Sequence, residues 1–269
     1  MSLKDSISNR FARQIRMPEI GQEGQQKLIQ SSVLVIGAGG LGCPALSYLA
    51  ATGVGKIGIV DFDQVEMSNL HRQLLYDESD IGKNKALQSD TKLAAQFPDC
   101  KVVSYPKELD NKLAMEIFPE YNILLDCTDQ IHTRYLINDA CRVLNKPWIF
   151  GAIQGFESQF ALLNASKEAA DFRDIFPIPA NPLTAPNCEN DGTIGVIPGI
   201  TGMFQAMECV KWILGLGESS TVLHFFNYMD YQKYEMEIIP SKERVNITEL
   251  EFMQTDYREY VMACHYKKM

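Results

Sequence analysis

Four glycines stand in one short run, Gly37-Ala38-Gly39-Gly40-Leu41-Gly42, and an acidic residue, Asp61, follows Gly42 by nineteen positions. Glycine backbone can approach phosphate oxygens closely, and a helix opening behind such a turn offers free N–H groups and the positive end of its dipole. An acid at that distance accepts from ribose hydroxyls, so Gly37, Gly39, Gly40, Gly42 and Asp61 together predict a nucleotide site. By itself this fingerprint favours a nicotinamide dinucleotide. The next residues turn it elsewhere: Asp61-Phe62-Asp63, Ser68-Asn69-Leu70-His71-Arg72-Gln73, then Lys83 and Lys85. A dinucleotide carries only a pyrophosphate, which the helix N-terminus holds, whereas a triphosphate needs further positive charge to bind and to react. Arg72, Lys83 and Lys85 are read as three cations converging on it. Taken singly, each is equally a solvated surface charge, and the reading rests on their joint placement beside the glycine turn.

Strands and helices must hold these residues. A helix over about Ser8 to Gln30, broken near Pro18 to Gly21, leads into the continuous apolar run Val33 to Ile36. Such a run is what a parallel strand covered on both faces requires. A helix from Leu41 to Thr52 and a second strand at Ile57 to Val60 complete one βαβ unit. The alternation repeats through a helix at Asn84 to Gln96, a strand at Val102 to Tyr105, a helix around Lys112 to Phe118, a strand at Ile123 to Leu125 and a helix at Thr133 to Leu144. After Trp148-Ile149-Phe150, strands at Ser158 to Leu163, His224 to Tyr228 and Tyr234 to Ile239 have few helices between them. Ile194 to Leu216 reads as a packed core helix, and the proline-rich stretch Asp171 to Gly192 as a long irregular loop. The predicted fold is α/β: a Rossmann-like doubly wound, mainly parallel sheet continuing into antiparallel strands, with N-terminal helices.

The motifs Asn9-Arg10-Phe11-Ala12-Arg13-Gln14-Ile15, Gly37 to Gly42, Asp61-Phe62-Asp63, Ser68 to Gln73, Asp126-Cys127-Thr128-Asp129 and Gln205-Ala206-Met207-Glu208 resemble the family of MoeB, ThiF and HesA, bacterial relatives of the ubiquitin-activating enzymes. The similarity runs in order from about Asn9 to Ile239. It implies an enzyme that uses ATP and Mg²⁺ to adenylate the C-terminal glycine carboxylate of a ubiquitin-like sulfur-carrier protein ending in Gly-Gly, of the molybdopterin or thiamine type. It assigns Gly40 to phosphate or adenosine, Asp61 to ribose, and Asn69, Arg72 and Lys85 to the phosphates. Gln73 and Gln130 complete the nucleotide contacts, and Gln130 stands where relatives often carry asparagine. Asp129 is assigned to Mg²⁺, a hard cation suited to a carboxylate beside phosphates. The family is normally a homodimer, and Arg13 matches an arginine that reaches the other subunit's triphosphate; its bland reading is a solvated helix charge. Cys188 matches a cysteine that in some relatives takes part in sulfur transfer or a thioester, and is equally readable as an incidental loop thiol.

Many relatives hold zinc with two Cys-x-x-Cys pairs, but Asp171-Phe172-Arg173-Asp174 stands where the first pair is expected and no cysteine lies between Cys209 and Cys264. No structural zinc is therefore expected. The resemblance implies one adenylation domain over residues 1–245, its nucleotide-binding part about 30–150 and its carrier-binding part about 151–245, then a tail over 246–269 in which Thr248 and Glu251 form a candidate capping box. A net charge of -9 argues against nucleic-acid and anionic-membrane partners. Seven widely spaced cysteines and no apolar leader fit a reducing cytoplasm. Two further readings remain open: a same-fold enzyme that adenylates a peptide or tRNA-linked carboxylate, and a non-catalytic carrier-binding homologue.

Overall fold

The computed structural model describes residues 9–180, 192–217, 221–242 and 247–266. Two N-terminal helices, α1 (Ala12–Ile15) and α2 (Gly21–Gln30), precede β1 (Ser32–Ile36), α3 (Gly42–Thr52), β2 (Lys56–Val60), α4 (Lys85–Gln96), β3 (Lys101–Tyr105), α5 (Asn111–Ile117), β4 (Ile123–Asp126), α6 (Ile131–Leu144) and β5 (Trp148–Gln154). The chain continues with β6 (Glu157–Leu163), α7 (Phe172–Ile175), α8 (Val196–Leu214), β7 (Val222–Asn227), β8 (Gln232–Glu237), α9 (Glu249–Gln254) and α10 (Tyr257–Tyr266).

One eight-stranded sheet runs in the order β3-β2-β1-β4-β5-β6-β7-β8. β1 to β5 pair in parallel and β6 to β8 pair antiparallel, as the change of pattern after Phe150 predicts. Successive side chains of a strand face opposite sides, and both sides are covered. Leu34, Ile36 and Leu124 join a core with α5, α6, α9 and α10, while Val33, Val35, Ile123 and Leu125 join one with α3, α4 and α8. Sequence order reverses direction between β1 and β4, so a crevice opens at the carboxyl ends of these strands.

Local chemistry sets the helix ends. Gly53 ends α3 and Asn145 ends α6 in the left-handed conformation, while the Asn84 and Asp110 side chains cap the starts of α4 and α5. The stretch expected to be irregular from Asp171 contains the one-turn helix α7, capped reciprocally by Asp171 and Asp174; residues 181–191 lie outside the described residues. The expected Thr248–Glu251 capping box is present. The tail is part of the main body: Phe252, Tyr257 and Val261 are buried in the core on the α6 side of the sheet.

Candidate active site

The crevice is a cavity of about 350 Å³ lined by the glycine turn, Asp61, Asp63, Asn69, Arg72, Gln73, Lys85, Asp129 and Gln130. Its floor depends on glycine at two positions. Gly37 sits at φ +93°, and a β-carbon there would lie 2.7 Å from the Cys127 carbonyl oxygen. Gly42, first residue of α3, does not line the cavity; a β-carbon on it would meet the Gly37 carbonyl at 2.0 Å, so its role is close packing of turn against helix. The buried Tyr76 hydroxyl donates to the Ala38 carbonyl at 2.8 Å and lies 2.8 Å from Ser89 Oγ, fastening the turn to α4.

Asp61 leaves the end of β2 and is buried. Its two oxygens accept the backbone N–H groups of Ala38 (2.7 Å) and Asp63 (2.8 Å), which locks it under the turn. Burial raises its pKa above 3.8, opposed by Lys85 and by those two N–H groups. Lys85 is placed by the cap of α4: the Asn84 amide donates to the Asp61 and Asp63 carbonyls at 3.1 Å each, so the first residue of the helix falls beside the strand end. Lys85 Nζ is buried and lies 2.9 Å from Asp63 Oδ2.

Arg72 comes from tight turns after Asn69, whose carbonyl accepts both the Arg72 and Gln73 N–H groups at 3.0 Å. Its guanidinium donates to the Ser68 carbonyl at 2.9 Å and lies 2.8 Å from His71 Nε2. On the other side of the crevice Asp126, the last residue of β4, is fully buried. Its Oδ1 accepts the N–H and hydroxyl of Thr128, folding the loop so that Asp129 points into the open cleft. Burial raises the Asp126 pKa, opposed by Arg134, whose Nε lies 3.4 Å away. From α8, the buried Gln205 amide donates to the Asp126 carbonyl at 2.6 Å and the Ile149 carbonyl at 3.3 Å, joining β4 and β5 behind the site.

Residues 11–247 match the ThiF family. The chain belongs to the ThiF family. It is 43% identical over 214 residues to the sulfur carrier protein adenylyltransferase of Thermus thermophilus, a match covering 78% of this chain and 79% of that protein. It is 41% identical over 209 residues to the adenylyltransferase and sulfurtransferase MOCS3 of Drosophila virilis, covering 78% of this chain and 46% of that protein. The chain thus spans about half the length of the curated MOCS3 relatives it matches. Among solved structures, E. coli MccB with ATP superposes with a TM-score of 0.75 at 22% identity, covering 88% of this chain and 74% of that one. PaaA follows at 0.73 and 21%, covering 90% and 76%. At such identities the likeness concerns the fold, which these structures share. The named relatives are adenylyltransferases, and the chain is an enzyme of that type.

Not every residue singled out from the sequence of this ThiF-family chain meets at the cleft. Lys83 corrects the expected trio of cations: it is exposed, 3.7 Å from Asp80, because it ends the loop that Asn84 turns back into α4. Arg13 is exposed on α1 and does not line the cavity. Cys188 lies outside the described residues. Two cations escaped the sequence reading, Lys107 after β3 and Arg134 in the first turn of α6. Their signal is positional: both follow the carboxyl end of a parallel strand, the end at which such sheets bind ligands, Arg134 after β4 at the switch point and Lys107 after the edge strand β3. Arg134 donates to the Thr128 carbonyl at 2.9 Å and covers the Phe150 ring. Cys43 and Cys127, beside the turn, are buried, and burial pushes the Cys43 thiol up to about 12 and Cys127 well above its ordinary value. Neither is a nucleophile at neutral pH.

Proposed function

We propose that the chain adenylates the C-terminal glycine carboxylate of a ubiquitin-like sulfur-carrier protein at the expense of ATP. The observation that supports this most is the convergence, in one cavity at the carboxyl ends of β1, β2 and β4, of the glycine turn, Asp61, Arg72, Lys85 and the open carboxylate Asp129. The ribose sits over Asp61 and the phosphates between the turn, Asn69, Arg72 and Lys85. A carrier carboxylate oxygen forms a bond to the α-phosphorus while the bond from that phosphorus to the bridging oxygen of the β-phosphate breaks, giving acyl-adenylate and pyrophosphate. The nucleophile is already ionised at neutral pH, so no base is required. The protein positions the reactants and offsets charge.

The cavity lining supports a divalent ion in this reading. It carries five carboxylates (Asp61, Asp63, Glu66, Glu108, Asp129) against four cations (Arg72, Lys85, Lys107, Arg134), so it does not by itself neutralise a triphosphate. Among the described residues there is no cluster of three or more His, Cys, Asp or Glu that forms a closed metal cage. A lone accessible carboxylate beside phosphates suits Mg²⁺, which takes one or two protein carboxylates and fills its shell with phosphate and water. Asp129 would hold it, and it would neutralise the departing pyrophosphate.

The carrier lies on the antiparallel half, where the stacked rings of Phe204, Phe226 and Tyr228 and the exposed Met229 and Met236 offer apolar ground. A homodimer brings Arg13 to the partner's site. No structural zinc is needed, since Asp171, Arg173 and Asp174 are engaged in caps and ion pairs. The cysteines at 43, 100, 127, 141, 209 and 264 are free thiols, which supports a reducing compartment such as the cytoplasm. No described helix is long and apolar enough to cross a membrane.

ATP–pyrophosphate exchange with Mg²⁺ and a panel of carriers ending in Gly-Gly tests the reading, with a peptide bearing a free C-terminal carboxylate as a second arm. Carrier-dependent exchange is expected. Folded protein that binds ATP yet exchanges with no carrier would remove the proposal, and exchange with the peptide alone would favour the peptide-adenylating alternative.

A further inference from the structure

The nucleotide cavity has a wall that belongs neither to the glycine turn nor to the phosphate-side residues Asn69, Arg72 and Lys85: Lys107, Glu108 and Leu109, the link from β3 to α5. Sheet order runs β3-β2-β1, the glycine turn follows β1 and Asp61 follows β2. The link after β3 therefore lies beyond Asp61 from the turn, on the nucleoside side of a ribose held there. A link of this kind needs something to hold it in place. Its C-terminal end is fastened to the tail. Asn111, the first residue of α5, donates from Nδ2 to the carbonyls of Phe252 (2.5 Å) and Thr255 (2.9 Å). Those carbonyls belong to the last turn and exit of α9, where helix carbonyls run short of internal partners, although that of Phe252 also accepts the Thr255 N–H at 3.2 Å. One side chain thus closes the end of the tail helix and anchors the cavity wall.

One further contact, and the electrostatics of a neighbouring histidine, point the same way. Arg258, on α10, pairs with Glu108 in the wall itself. His132, half-buried at the start of α6 between Gln130 and Thr133 of the cavity lining, has its pKa lowered by burial and then by Arg258, while Glu108 and Asp256 oppose that shift. The tail also grips α6 from its far end. Tyr257 donates to Asp139 Oδ2 at 2.7 Å, and the same carboxylate takes the Arg173 guanidinium at 2.8 and 2.7 Å, with Arg173 donating in turn to Tyr260 at 2.5 Å. The segment 247–266 therefore bridges the two elements, α5 and α6, that follow the strands on either side of the β2-β1 pair.

We propose that this C-terminal helix pair is a positioning element for the nucleoside half of ATP: through Asn111 and Arg258 it fixes the 107–109 wall against which the nucleoside rests. Asn111 and Arg258 are positioning residues, and neither is placed in contact with the reacting atoms. The inference rests on the ATP reading of the cavity and adds to it a part of the chain outside the phosphate site.

Full-length Asn111→Ala, Arg258→Ala and Arg258→Lys are compared with the unsubstituted chain for affinity toward two probes, ATP and inorganic tripolyphosphate, by titration calorimetry or competition. Tripolyphosphate engages only the phosphate side, so the two affinities should separate. Asn111→Ala should weaken ATP roughly three- to tenfold, the effect of one or two lost hydrogen bonds, while tripolyphosphate stays within twofold. Arg258→Ala should do the same more weakly, and Arg258→Lys should restore ATP binding. A parallel loss of both probes would mean that the tail merely stabilises the fold, and unchanged ATP affinity in Asn111→Ala would mean that it does not reach the site; either result overturns the proposal. Carrier-dependent exchange by the unsubstituted protein is scored separately. Its failure removes the adenylation reading and leaves the ratio of the two affinities to decide this one.

Discussion

Replacing Arg72 by alanine separates catalysis from stability more cleanly than any other change at the cleft. Among the described residues Arg72 has no carboxylate partner; its guanidinium is held by the Ser68 carbonyl and the neighbouring His71 ring. Those contacts are local and accessible, so losing them costs about 1 kcal/mol of folding stability, which for a domain of this size moves the melting midpoint by about 2–4 °C. The charge lost is one aimed into the nucleotide cavity. Removal of a single preorganised group that stabilises developing charge lowers turnover by roughly 100- to 1000-fold, about 3–4 kcal/mol. Pyrophosphate exchange should therefore collapse in a protein that melts almost normally. Arg72→Lys keeps the charge but not the planar fork and should fall between. Exchange within fivefold of the unsubstituted enzyme in Arg72→Ala would refute the assignment of Arg72 to the phosphates.

Three other outcomes follow from the same geometry. Gly37→Ala forces a β-carbon into a left-handed conformation 2.7 Å from the Cys127 carbonyl and should destabilise the fold by about 2–4 kcal/mol, read as a shifted urea midpoint; an unshifted midpoint would contradict the packing of the turn. Asp126 titrates above its unfolded value of 3.8 because it is buried, so the stability tied to this group is full below that pH and is lost as pH rises through the folded pKa. The stability of the unsubstituted chain relative to Asp126→Asn should accordingly fall as pH rises from about 4, and melting curves in which the gap widens would contradict it. Cys43 and Cys127 should resist iodoacetamide at pH 8 until denaturant is added, as judged by peptide mass spectrometry; native labelling of either would show that burial does not suppress its thiolate.

The parallel half was legible because its strands are unbroken apolar runs and its helices carry their own caps. Val33 to Ile36 marked β1 to within one residue, and Asn84 marked the start of α4. The crossover to antiparallel pairing was visible in the loss of intervening helices after Phe150. The site was legible only where residue type and spacing coincide, as in the glycine turn with Asp61. Lys107 and Arg134 were invisible because nothing in their types distinguishes them from surface charges; only the place of β3 beside β2 and of β4 beside β1 brings them to the cavity. Lys83 failed for the converse reason. It is two residues from Lys85, but Asn84 turns the chain between them, so one lysine enters the site and the other faces solvent. The tail was opaque since its role depends on contacts more than a hundred residues distant in sequence, such as Asn111 to Thr255.

The pairing of the cavity's charges explains how one pocket carries four cations without binding every passing anion. Lys85 already has Asp63, and Arg134 lies against Asp126 while donating to the Thr128 carbonyl. Both are oriented by bonds that exist before ligand arrives, and their charge is largely balanced. Arg72 and Lys107 have no carboxylate partner among the described residues. The two cations without such a pair thus lie at two ends of the cavity: one beside the glycine turn, the other beyond Asp61. A ligand must span both to fill the cavity, which favours a whole nucleotide, its phosphates toward Arg72 and its nucleoside toward the Lys107 end, over a single phosphate. Buried Asp61 and Asp126, each tied to backbone N–H groups at a strand end, keep the two arms of the site at a fixed separation. Selectivity on this account comes from spacing held by carboxylates within the fold: Asp63 and Asp126 give two of the cavity's cations, Lys85 and Arg134, their positions.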